Sequence, residues 1–174
     1  MEKKLRKNQN NLTILGIGVI LFGLWTVVKI LLQYTLDRAQ VREMVNSIKT
    51  GMNGKNGFQV TDGFIIFFIL ILTLLFLLVI VCLRLYIGIS AINEGLGRKK
   101  GNGVLYLIVA AIMAISNGIS VYGIIMSFTE FSGNFNTVFD KASALVIDAS
   151  SLIILIEMIS ASIKVKLLTS KLRE

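Results

Sequence analysis

Phe64–Leu83 reads FIIFFILILTLLFLLVIVCL, twenty residues in which Thr73 is the one polar side chain. At 1.5 Å per helical residue such a run matches the ~30 Å hydrocarbon core of a bilayer. It continues as Arg84–Gly103, RLYIGISAINEGLGRKKGNG, where apolar character resumes over Leu85–Ile92 before Gly95, Gly97 and Gly101 and three basic residues end it. The span is therefore placed at about 64–92. Arg84 then either marks the interface or lies about 10 Å inside a long tilted helix.

Working outward, three further runs have membrane length: about 12–34, 103–128 and 138–163. Between the first two, residues 35–62 form an extracytoplasmic loop. Val41, Met44, Val45 and Ile48 recur there at i, i+3, i+4 and i+7, predicting an amphipathic helix over about 35–49. Thr137 and Asp140 have the spacing of a capping box before the last span. Ala110, Ala114 and Gly118 make a small-residue stripe that permits close helix approach. Asn11-Leu12-Thr13 has the form of a glycosylation sequon, read as a chance match against the membrane. The expected fold is all-α, a four-span transmembrane helical bundle forming a single membrane domain over residues 1–174.

Composition supports lipid as the solvent. The 174 residues are 55% hydrophobic and 16% charged, with mean hydropathy +0.78, whereas soluble domains are about 25% charged. A chain of this size has too little interior to hide that much apolar surface from water. The net charge of +8 does not imply nucleic-acid binding, because the cations gather at span ends rather than on a soluble face. With no His and one Cys, Cys82, zinc ligation and Ser/His/Asp or Cys/His catalysis are excluded. The absence of proline argues for straight, continuous helices. No cofactor, no metal site and no catalytic residue is expected.

Lys and Arg set the orientation. Eleven lie at the two termini and in the 98–100 loop, against five at the opposite ends of the spans. Both termini are therefore expected in the cytoplasm. The composition, rich in Ile, Lys and Asn, fits a bacterial cytoplasmic membrane.

The candidate functional residues are the polar and ionisable groups at membrane depth: Lys29, Arg84, Asn117, Asp148 and Glu157. A charge at mid-bilayer costs roughly 2.5–3.5 kcal/mol on insertion scales, so each needs a partner or water. Depth suggests two links, Lys29 with Asp148 and Arg84 with Glu157. Asp148 and Glu157 are nine residues apart, on opposite faces of one helix, and so do not form a shared carboxylate centre. Glu94 and Arg98, at i and i+4, read as a solvated pair at a helix end. Arg98, Lys99 and Lys100 are candidate contacts for lipid headgroups.

The leading functional reading is a non-catalytic accessory or scaffold subunit acting through helix–helix contacts. Its partners would be the bilayer and either a second copy or another membrane protein. An alternative is a small oligomeric transporter or channel with Asp148 or Glu157 as its ion or proton site. A membrane enzyme acting on lipid ranks last.

Overall fold

The computed structural model describes residues 2–36, 43, 45–48, 50, 62–98, 103–129 and 135–172, with side chains described for 2–31, 43, 45–48, 50, 63–98, 103–128 and 141–172. Four long helices account for nearly all of them: α1 Glu2–Leu36, α2 Asp62–Gly95, α3 Leu105–Thr129 and α4 Phe135–Lys171. No strand occurs among the described residues. All four are long and apolar enough to cross a membrane. The chain has the architecture of a multi-pass membrane protein, as the apolar runs predict.

α1, α2 and α4 outrun the expected spans because helix geometry does not stop where hydropathy does, while α3 matches its span to within two residues. α2 has 34 residues, about 50 Å at 1.5 Å each, well over the hydrocarbon thickness. α4 begins at Phe135, so Thr137, expected to cap it, lies inside the helix. Of the predicted amphipathic helix, the described residues between 43 and 50 are helical, with Val45 buried. Ser47 and Thr50 bond back to the carbonyls of Glu43 and Asn46. Residues 35 and 36 are the last of α1, and the remainder of 35–49 lies outside the described residues.

The chain divides into two compact units, residues 1–22 with 83–174, and residues 23–82. In the second, Ile65 and Leu77 are buried on α2, while Phe67, Phe68, Leu74, Leu75 and Phe76 are exposed. That is the inverse of a soluble helix: the most apolar stretch carries the most exposed apolar surface, which lipid alone tolerates on this scale.

The first unit has a core to which all four helices contribute: Leu12 and Val19 from α1, Ile87 and Ala91 from α2, Tyr106 and Ala110 from α3, and Leu155 and Met158 from α4. α1 and α2 meet through glycines. A Cβ added at Gly16 would lie 2.8 Å from the carbonyl oxygen of Gly88, and one at Gly88 would lie 2.7 Å from that of Gly16. Gly88, Ala91 and Gly95 fall at i, i+3 and i+7, one small-residue face along which the α1 backbone lies. The stripe expected on α3 behaves differently. Ala110 is buried, but nothing lies within 4 Å of where a Cβ on Gly118 would be.

α2 ends because Gly97 takes φ +66°, the left-handed conformation. There Arg98 N–H reaches the Asn93 carbonyl and Gly97 N–H the Glu94 carbonyl, the two bonds of a Schellman cap.

Candidate functional site

α3 and α4 run antiparallel and are joined by polar contacts spaced along their length. Lys141 Nζ donates to the Ser127 carbonyl at 3.3 Å, and Ser120 Oγ donates to Asp148 Oδ2 at 3.1 Å. Asn117 Nδ2 donates to Ser151 Oγ at 3.1 Å. Tyr106 O–H stands 2.6 Å from Ser162 Oγ, and Lys166 Nζ donates to the Gly103 carbonyl. From 127 to 120, 117 and 106 on α3 the steps are seven, three and eleven residues; from 141 to 148, 151 and 162 on α4 they are the same. Steps of three, seven and eleven keep to one helix face. The two helices thus carry matched polar stripes in a single register.

At two levels the ladder recruits α2. Arg84 Nη1 donates to Ser151 Oγ at 3.0 Å, so one serine oxygen accepts from both Arg84 and Asn117. The Asp148 carboxylate, one turn earlier on α4, is the counter-charge acting on this guanidinium. Arg84 is 5% exposed and Ser151 4%. Eleven residues separate Arg84 from Gly95, about 16 Å along the axis, so the guanidinium is enclosed within the helix packing well before α2 ends. Its Nε has no hydrogen-bond partner among the described residues.

The second level is an inner knot. Tyr106, 2% exposed, and Ser162, 0% exposed, enclose the Glu94 carboxylate between them. The tyrosine hydroxyl donates to Glu94 Oε2, and Ser162 Oγ lies 3.1 Å from Oε1 and 3.2 Å from Oε2. Lys166 lies over the Tyr106 ring, 5.5 Å from its centroid, adding a cation–π contact at the end of the stack.

Two expected pairings are corrected. Arg84 does not face Glu157: its bond goes to Ser151 and its counter-charge is Asp148, while Glu157 is exposed. The nine-residue offset between the two acids puts Asp148, and not Glu157, on the ladder face. Glu94 does not remain a solvated partner of Arg98 either. It turns inward to Tyr106 and Ser162, and Arg98 is left exposed. Lys29 is half-buried and belongs to the unit of residues 23–82. Lys99 and Lys100 lie outside the described residues.

Glu94, Tyr106, Ser151 and Ser162 are the site residues that sequence reasoning missed. For Tyr106, Ser151 and Ser162 the signal was the eleven-residue interval shared with Asn117, which becomes visible only when two helices are laid side by side in opposite directions; Glu94, on α2, lies outside that interval. No family model, no curated protein and no solved structure matches this chain.

Proposed function

We propose that this protein is a non-catalytic accessory or scaffold subunit that works through helix–helix contacts in a cytoplasmic membrane, with both termini on the cytoplasmic side. The observation supporting it is the ladder. Leu and Ile gain little by packing against helices rather than lipid, so helix pairs in membranes rely on close packing and on interhelical hydrogen bonds. Here both devices are present: glycine contacts join α1 to α2, and polar rungs join α2, α3 and α4. The polar groups at depth thereby serve to hold the unit in one arrangement. What this unit offers a partner is the apolar outer face of α3, with Ile112, Ile115, Ile119 and Tyr122 exposed.

Photo-crosslinking residues placed at Ile115 and Ile119 test this in native membranes. One discrete protein adduct, with a second copy or a defined membrane protein, is the expected result. Adducts with lipid alone, in cells making native amounts of the protein, would reject it. The transporter reading rests on Asp148, a half-buried carboxylate at membrane depth beside Ser120. Proton- or cation-coupled flux in proteoliposomes that disappears in a folded Asp148→Asn variant would favour that reading over the scaffold.

A further inference from the structure

The inner knot lies where α2 ends and α3 begins, at the level of Gln9 on α1 and Ser162 on α4. A Cβ on Gly95 would lie 2.7 Å from the Gln9 carbonyl of α1, and one on Gly97 would lie 3.9 Å from the Gln9 amide nitrogen. Tyr106, the second residue of α3, meets Glu94 of α2 and Ser162 of α4 at that same end. At or just beyond this level stand Arg6 and Lys7 on α1, Arg98 after α2, and Lys164 and Lys171 on α4, all exposed. Arg6 is one helical turn before Gln9, on the α1 face that meets the Gly97 turn, and Gly97 is the residue before Arg98. None of these five makes an ion pair among the described residues. Of the nearby acids, Glu94 is held inward by Tyr106 and Ser162, and Glu2, one turn before Arg6 on α1, is a single exposed carboxylate against the five cations.

Close in sequence to these cations are exposed apolar side chains, Leu96, Val104, Leu105 and Ile163, with Ile14 two turns further along α1. An occupant of this rim must present anionic groups to the basic residues and apolar chains to the surface beneath. A soluble acidic protein satisfies the first requirement and not the second. An anionic phospholipid satisfies both, with its phosphate among the basic side chains and its acyl chains along the helices. We propose that the basic rim formed by Arg6, Arg98 and Lys164 is a docking surface for anionic phospholipid headgroups. The inference stands independently of which protein partner, if any, the outer face of α3 engages.

The test uses the full chain in nanodiscs of phosphatidylcholine with or without phosphatidylglycerol, released into neutral detergent and weighed by native mass spectrometry. The expected result is phosphatidylglycerol retained over phosphatidylcholine by on the order of tenfold or more, declining as salt is raised. The triple variant Arg6→Gln/Arg98→Gln/Lys164→Gln should lose most of that preference, and Arg6→Lys/Arg98→Lys/Lys164→Arg should keep it. If the triple variant is not monodisperse, Arg98→Gln alone should lower the preference about fivefold. Equal retention of the two lipids by the native chain overturns the proposal, as does a preference unchanged by neutralising the rim. An acidic soluble protein that the rim variant no longer binds, with lipid retention unaltered, also overturns it.

Discussion

Asn117 and Ser151 meet at 3.1 Å, and eleven residues along each helix Tyr106 and Ser162 meet at 2.6 Å. Eleven residues make just over three whole turns of α-helix, so both contacts lie on one face of α3 and one face of α4, about 16 Å apart along the axis. Two antiparallel helices with matched intervals have one register in which both rungs close. Sliding either by a residue rotates its stripe by about 100° and breaks the rungs together.

The buried rung is expected to be coupled. Ser151→Ala removes the oxygen that accepts from both Arg84 and Asn117, leaving a buried guanidinium short of a partner. Unfolding in detergent should show a loss of about 1–3 kcal/mol. In a double-mutant cycle with Arg84→Met the interaction energy should be about 0.5–2 kcal/mol, the range seen for hydrogen bonds between membrane helices. Purely additive losses would mean that the bond carries no stability.

At the inner knot, Tyr106→Phe keeps the ring under Lys166 and removes the hydroxyl that donates to Glu94. The expected loss is about 1–2 kcal/mol, from an enclosed carboxylate deprived of a donor. Tyr106→Ala should cost more, about 3–5 kcal/mol, since it also empties a buried ring site. Equal effects of the two substitutions would assign the residue's contribution to the hydroxyl alone.

Glycines of the same type should respond in opposite ways. Gly16→Ala forces a Cβ to 2.8 Å from the Gly88 carbonyl oxygen and should destabilise by about 1–3 kcal/mol through overpacking. Gly118→Ala and Gly123→Ala meet nothing within 4 Å. They should be neutral, or stabilising by up to about 1 kcal/mol from helix propensity. Thermal unfolding of the three variants side by side distinguishes packing from propensity.

Gly97→Ala places a Cβ on a residue with φ +66°, at the cap that ends α2. A loss of about 1 kcal/mol is expected from the left-handed conformation. Gly97→Asn, which tolerates that region better, should recover part of it.

Orientation is tested chemically. In a Cys82→Ser background, Lys171→Cys should react with an impermeant maleimide only from the cytoplasmic side, and Thr50→Cys only from the opposite side. Labelling of Lys171→Cys from outside intact cells would reverse the orientation that the Lys and Arg distribution predicts.

The four spans were legible because membrane solvation is a one-dimensional constraint. A run such as Phe64–Leu83 has nowhere to go but lipid, and its length alone states the crossing. Helical periodicity was equally informative: the spacing of Asp148 and Glu157 placed them on opposite faces, and Asp148 alone lies on the ladder. Partners were not legible, because depth in the bilayer is shared by every helix at that level. Arg84 and Glu157 matched in estimated depth, yet neighbouring rotation brought Ser151 and Asp148 to the arginine instead. Glu94 shows the same limit. Its local spacing to Arg98 suggested a surface pair, while Tyr106 and Ser162, twelve and sixty-eight residues away in sequence, draw it inward. Sequence by itself determined the four helices of membrane length and which residues of one helix share a face. The rotation and axial register of the helices, which choose the polar partners, were decided by tertiary packing, because only a specific side-by-side alignment closes all the rungs together.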